Sequence, residues 1–93
     1  MSVAETSATT LRLVYFAWVR ERVGLGEETV TPPPGTETVR ELARWLKSRG
    51  EGYEAAFANE MMIRAAIDRS HVKSDAPIAG AKEIAFFPPM TGG

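Results

Sequence analysis

Hydrophobic positions along this 93-residue chain change their period several times, and each change marks an element. Leu11-Arg12-Leu13-Val14-Tyr15-Phe16 is rich in β-branched and aromatic residues. Alternation puts Leu11, Leu13 and Tyr15 on one face, which predicts a strand over 11–16. Arg12 makes the other face partly wet, although Val14 and Phe16 share it. Residues 17–23 read as a short helix stopped at Gly24. Leu25-Gly26 then turns the chain, and residues 28–31 alternate again with Val30 inward. Two strands this close predict a hairpin with a bulky connection.

Pro32-Pro33-Pro34-Gly35 cannot continue a ladder and marks a boundary. Thr38 and Glu41 have capping-box spacing, in which hydroxyl and carboxylate satisfy each other's orphan amides. Val39, Leu42, Ala43 and Leu46 follow at i, i+3, i+4 and i+7, the stripe of a helix. Gly50, after Lys47 and Arg49, is expected as its C-cap. Residues 51–59 predict one irregular helical turn packing Tyr53 and Phe57. A strand is expected over 61–67, with Ile63, Ala65 and Ile67 opposite Met62, Arg64 and Ala66. Val72 falls in a short edge strand after the Asp68-Arg69-Ser70 turn, and a loop over 76–81 leads to a last strand over 83–87. The main elements run β, short α, β, α, β, β, with no repeat and no linker. This predicts an α+β fold, a mixed sheet with one main helix packed across it. That is the β-grasp (ubiquitin-like) arrangement; a ferredoxin-like rearrangement has the same spacing.

Composition narrows the chemistry. With 44% hydrophobic and 25% charged residues the chain can build a core and remain soluble. Eleven basic and twelve acidic residues give a net charge of −1, so no field is available to hold a polyanion. Nucleic acid and acidic membrane are therefore not expected partners. The absence of Cys excludes disulfides, thiolate metal sites and a thiol nucleophile. The single His71 excludes a multi-histidine site within one chain, and no metal is expected. The longest apolar run, over 13–19, is far short of the ~20 residues that span a bilayer. Residues 1–10 carry neither a basic start nor an apolar stretch and are expected to form a disordered polar leader. The cytoplasm is the expected compartment.

The distinctive chemistry lies at the other end, Phe86-Phe87-Pro88-Pro89-Met90-Thr91-Gly92-Gly93. Pro88-Pro89 ends a strand, because proline donates nothing to a ladder, and it favours a stiff polyproline exit. Gly92 and Gly93 have no Cβ, so ordering them brings a domain no stability. Residues 88–93 are expected to form a flexible tail beyond a domain over 11–87. Extended, those six residues reach roughly 20 Å, enough to enter another protein's cleft. An unhindered Gly93 carboxylate on side-chain-free residues can thread a narrow channel. It becomes an acyl donor once activated as an acyl-adenylate with ATP. A tail with no chemical role would also be compatible with these residues.

This ending, together with Phe16-Ala17-x-Val19-Arg20-Glu21-x-Val23-Gly24, resembles the small-subunit family of molybdopterin synthase. The resemblance runs from Leu11 to Gly93 and implies a β-grasp, ubiquitin-like fold. It implies a sulfur carrier that is non-catalytic on its own. An E1-like adenylyltransferase uses ATP to adenylate Gly93, and sulfur replaces one oxygen to give a covalent thiocarboxylate. No cofactor is bound. Pro88, Pro89, Met90, Thr91 and Gly92 then insert into the large, catalytic subunit of a heterotetrameric synthase. There sulfur passes to cyclic pyranopterin monophosphate during molybdenum cofactor biosynthesis. Two positions depart from the family pattern. Ala79-Gly80-Ala81-Lys82-Glu83 stands where Asp-Gly-Asp-Glu is common, and Asp68 stands where Asn is common. Alternative readings are a carrier for another pathway such as thiamine, a ubiquitin-like protein modifier, and a plain interaction module. Thiamine carriers are typically shorter and lack the Phe-Phe-Pro-Pro run.

Alternation puts Ile84 and Phe86 on one face of the last strand, with Phe86 in the core, and Ala85 and Phe87 on the other. Phe87, Phe16 and Val14 then either form an exposed apolar partner interface beside the tail or are covered by the helix over 17–23. Trp18 and Trp45 read as packing residues. Arg20, Arg22, Arg40, Arg44 and Lys47 are interleaved with Glu21, Glu37 and Glu41, which predicts solvated, self-paired helix faces. Glu27-Glu28 sits in a turn with no facing acid, so acid–base work is not expected of it.

Overall fold

The structure is a computed structural model that describes residues 10–89. The expected leader over 1–10, apart from Thr10, and the tail residues Met90, Thr91, Gly92 and Gly93 lie outside the described residues. Strand β1 (Leu11–Tyr15) leads into helix α1 (Ala17–Val23) and strand β2 (Glu27–Val30). Helices α2 (Val39–Lys47) and α3 (Glu51–Phe57) follow, then a 3-10 turn at Glu60–Met62. Strands β3 (Arg64–Ile67), β4 (Ser70–Val72) and β5 (Glu83–Phe87) complete the described elements. The five strands form one mixed sheet in the order β2-β1-β5-β3-β4, with β1 and β5 parallel and all other pairs antiparallel. This is the α+β, β-grasp arrangement, and the parallel pairing of first and last strands makes β5 central.

Register sorts the two faces. Leu13 opposite Ile84 and Tyr15 opposite Phe86 face the helices, and all four are buried. Tyr15, Phe57 and Phe86 form the aromatic centre. Phe57 meets Phe86 edge-on at 5.1 Å between ring centroids, and Tyr15 stacks on Phe86 at 6.3 Å. The stripe Val39, Leu42, Ala43 and Leu46 of α2 closes this core. Helix α2 starts with the full capping box: Thr38 Oγ1 accepts from Glu41 N at 3.2 Å, and the Glu41 carboxylate accepts from Thr38 N at 3.3 Å.

Two local expectations are corrected. Helix α2 ends at Ser48 in right-handed geometry, not at Gly50. Gly50 is extended and opens α3, its carbonyl accepting from Glu54 N at 2.9 Å, because the chain re-enters a helix at once. The strand expected over 61–67 begins only at Arg64. The Asn59 carboxamide captures Met61 N at 3.1 Å and winds Glu60–Met62 into the 3-10 turn, leaving Met61 81% exposed.

Helices α1 and α3 approach closely at Gly52. A Cβ there would lie 2.5 Å from the Arg22 carbonyl oxygen and 3.3 Å from that of Val23. Gly52→Ala is expected to force the helices apart and cost about 1–3 kcal/mol by overpacking, read in urea denaturation. An unchanged midpoint would refute the close approach.

Candidate functional site

The site is built outward from β5. Its two faces are unlike, since Ile84 and Phe86 enter the core while Ala85 and Phe87 turn to the opposite side of the sheet. On that outer side the register lays Val14 of β1 beside Ala85, Ala85 beside Ala66 of β3, and Ala66 beside His71 of β4. Val14, Ala85 and Ala66, with His71 at the edge, thus make a row across four strands. Phe87 is half-buried one step further along β5, and its ring lies 5.2 Å from that of His71. Phe16 continues the extended backbone of β1 by one residue, its N–H donating to the Phe86 carbonyl at 3.1 Å. Half of Phe16 remains exposed.

Helix α1 does not cover this face. The chain swings away at Ala17, whose φ of 54° lies in the left-handed region, and α1 inserts Val19 into the core against α3. On this face Phe16 is exposed, and Val14 and Phe87 are partly buried. Val14, Phe16 and Phe87 share the outer face, with Pro88 and Pro89 half-buried directly beyond Phe87. His71, Ala85 and the buried Ala66 join them; the sequence pattern places Ala85 beside Phe87 and gives no sign of the other two. Ala66 is too small to attract notice in an alternation pattern, and His71 reaches the face only through the β3–β4 pairing.

Charged residues border this row. Arg12 pairs with Glu27 and stands beside Glu83 in the register, at the end of the face remote from Pro88. Where β5 leaves the sheet, the exposed Arg64 stands beside Phe87 in the register. The start of β5 is fixed by Asp68, whose Oδ1 accepts from Lys82 N at 3.1 Å and Glu83 N at 3.0 Å. Asp68 and Arg69 both have positive φ, 47° and 74°, as a two-residue turn joining antiparallel strands requires. A carboxylate oxygen here accepts as the carboxamide oxygen of Asn would, so the departure at Asp68 keeps the turn's bonding.

A second polar cluster lies at the other end of the sheet. Glu28, opposite Leu13, points to the helix side. Its Oε2 accepts from Tyr15 Oη at 2.8 Å and Tyr53 Oη at 2.7 Å, and its Oε1 from Arg49 Nη1 at 3.2 Å. Burial, reinforced by the Glu28 carboxylate, pushes the Tyr15 phenol far above its ordinary range, and the same causes raise Tyr53. With every acceptor matched to a donor, this cluster fastens α3 to the sheet and offers no poised acid or base. Among the described residues no three His, Asp or Glu side chains converge as metal ligands. None of their helices is long and apolar enough to cross a membrane.

The sequence pattern of the ThiS family matches residues 13–93. A molybdopterin synthase sulfur carrier subunit of Escherichia coli is 31% identical over 83 residues, covering 89% of this chain and 99% of that protein. The protein of the same name from Haemophilus influenzae matches with the same identity and coverage. Among solved structures, a Pyrococcus furiosus protein described as a candidate molybdopterin converting factor subunit 1 superposes with a TM-score of 0.67 at 24% identity. That match covers 89% of this chain and all of the other. The chain belongs to the ThiS family, and within it to the kin of the molybdopterin synthase sulfur carrier subunits.

Proposed function

We propose that the chain is the sulfur-carrier subunit of a molybdopterin synthase, carrying sulfur as a thiocarboxylate on Gly93. The observation that carries this reading is the placement of β5. The last strand lies at the centre of the sheet and leaves it at Phe87, beside the partly exposed Val14 and Phe16 side of the outer face. A partner that docks on Val14, Phe16 and Phe87 is thereby set to receive the residues that follow Pro88-Pro89. The Gly93 carboxylate attacks the α-phosphorus of ATP in an E1-like adenylyltransferase, and pyrophosphate leaves. A hydrosulfide equivalent then displaces AMP, giving the thiocarboxylate and a proton. Pro88, Pro89, Met90, Thr91 and Gly92 carry it into the large synthase subunit, where cyclic pyranopterin monophosphate accepts the sulfur. The names of the two bacterial relatives support this acceptor over the thiazole of thiamine.

The test is an intact mass after incubation with an adenylyltransferase of this kind, ATP and a sulfur source, followed by addition of the large subunit and the pterin precursor. The expected result is a mass gain equal to sulfur replacing oxygen, lost again as the pterin product forms. A ladder of lysine conjugates would instead assign a protein modifier. A thiocarboxylate consumed only by a thiazole precursor would assign the other pathway.

Docking on the outer face makes its own prediction. Phe87→Glu is expected to weaken binding of the large subunit by about 10- to 100-fold, the effect of losing one apolar anchor. The folded state should survive, since Phe87 is outside the core. Calorimetric titration that finds wild-type affinity would remove Phe87 from the interface.

A further inference from the structure

The opposite side of the sheet carries a second surface, independent of the sulfur-carrier reading. Between α2 and strands β3 and β4 lies a groove of about 500 Å³, within the range of ligand pockets. Its floor is apolar: Val39, Ala43, Phe57, Ala65 and Phe86, all buried. Its rim carries three cations, Arg40, Arg64 and Lys73. The rim acid Glu60 is engaged by Arg44 at 3.1 Å, and the only carboxylate in the first turn of α2, Glu41, is held in the capping box. Among the described residues, none of the three rim cations has an acidic partner. The self-pairing expected of the α2 face is therefore not found here, and the rim keeps an unbalanced positive charge.

Shape adds a direction. At the start of α2 the groove is closed by bonds from Arg40 N to the Ser74 carbonyl at 2.8 Å and from Val39 N to that of Ala76 at 3.0 Å. Beside it runs β4, the last strand of the sheet, paired only with β3 among the described residues. Val72 at its end, with Lys73 and Ser74, lines the groove. A bare strand edge next to an apolar cavity suits an extended chain, which gains main-chain bonds from the edge and specificity from an alternate side chain in the pocket. The protruding Met61 supplies an adaptable lip.

We infer that this groove docks an extended acidic segment of a partner protein, one bulky apolar side chain filling it and flanking carboxylates meeting Arg40, Arg64 and Lys73. The test pans the full chain against a phage-displayed library of random short peptides. Enriched peptides are expected to share an apolar residue flanked by Asp or Glu and to shift the amide resonances of Val39, Ala43 and Val72 while sparing Val14 and Ala85. The variant Lys73→Glu, altered at an exposed rim position, is expected to lose about tenfold or more in affinity for them. The inference is overturned by no enrichment, by a neutral or basic consensus, by shifts on the outer face, or by affinity that survives charge reversal. Octanoate competing as strongly as the peptides would make the groove a small-acid site. Self-association abolished by Lys73→Glu would make it a contact between copies. Either result also overturns the inference.

Discussion

Deleting Gly93, or adding one residue after it, is expected to abolish sulfur transfer while leaving the denaturation midpoint unchanged. On the proposed reading the reacting group is the terminal carboxyl of Gly93, four residues beyond Pro89. Each residue changes the reach of an extended chain by about 3.5 Å. Misplacing a reacting group by about 1 Å already costs on the order of a hundredfold, so a whole-residue displacement leaves no productive geometry for adenylation. An added residue with a side chain also brings a Cβ where two glycines allow close passage. Gly93→Ala separates the two causes, since it keeps reach and adds only bulk. The measurement is the same intact mass, taken for each variant beside wild type. Full thiocarboxylate formation by the shortened chain would end the proposal.

Much of the scaffold was legible because local and tertiary signals agree. Leu11, Leu13 and Tyr15 alternate into the core, and α2 carries both its capping box and its apolar stripe within nine residues. Gly24 caps α1 in the left-handed conformation, with φ of 94° and its N–H on the Arg20 carbonyl at 2.8 Å. The signal fails where neighbours distant in sequence decide. Met61 and Met62 fit a strand by composition, and the Asn59 side chain wound them into a turn instead. Gly50 looked like a helix end because glycine commonly is one, whereas the chain begins a new helix there. Gly52 gave no sign of its role, which depends on the carbonyls of α1 lying against it.

The outer face was half legible. Val14, Phe16 and Phe87 stood out as apolar residues on the wet side of their strands. Whether anything covered them depended on the path of α1, which turns on the backbone conformation of Ala17. The chemistry proposed for Gly93 came from motif alone, and the structure adds the setting of the strand that precedes the tail. Glu28 is the instructive miss. Placing Val30 inward puts Glu28, two residues earlier, on the same side, yet a glutamate pair near a turn reads as solvent-exposed.

Glu28→Ala is accordingly expected to produce the largest loss of stability among the surface-to-core polar residues, about 2–4 kcal/mol. Removing the carboxylate strands the Tyr15 hydroxyl, whose residue is only 1% exposed, and releases Tyr53 and Arg49. Arg49 also lies over the rings of Trp45 and Tyr53, at 5.2 and 5.1 Å, so the corner between α2 and α3 loosens with it. Tyr15→Phe keeps the ring packing and loses one bond, so it costs about 1 kcal/mol alone and much less when Glu28 is already Ala. The cluster also sets a response to alkali. In the unfolded chain tyrosine ionises near 10, whereas folding holds the Tyr15 proton to higher pH. Above pH ~10 the folded state therefore binds more protons than the unfolded one, and stability falls as pH rises, by up to about 1.4 kcal/mol per pH unit for this tyrosine. Below that pH the contribution is fully present. Urea melts of wild type and Tyr15→Phe between neutral pH and pH 11 isolate the effect, because the other titrating groups are common to both. Parallel decline of the two proteins, or equal costs of Tyr15→Phe with and without Glu28, would show that the phenol and the carboxylate do not act together.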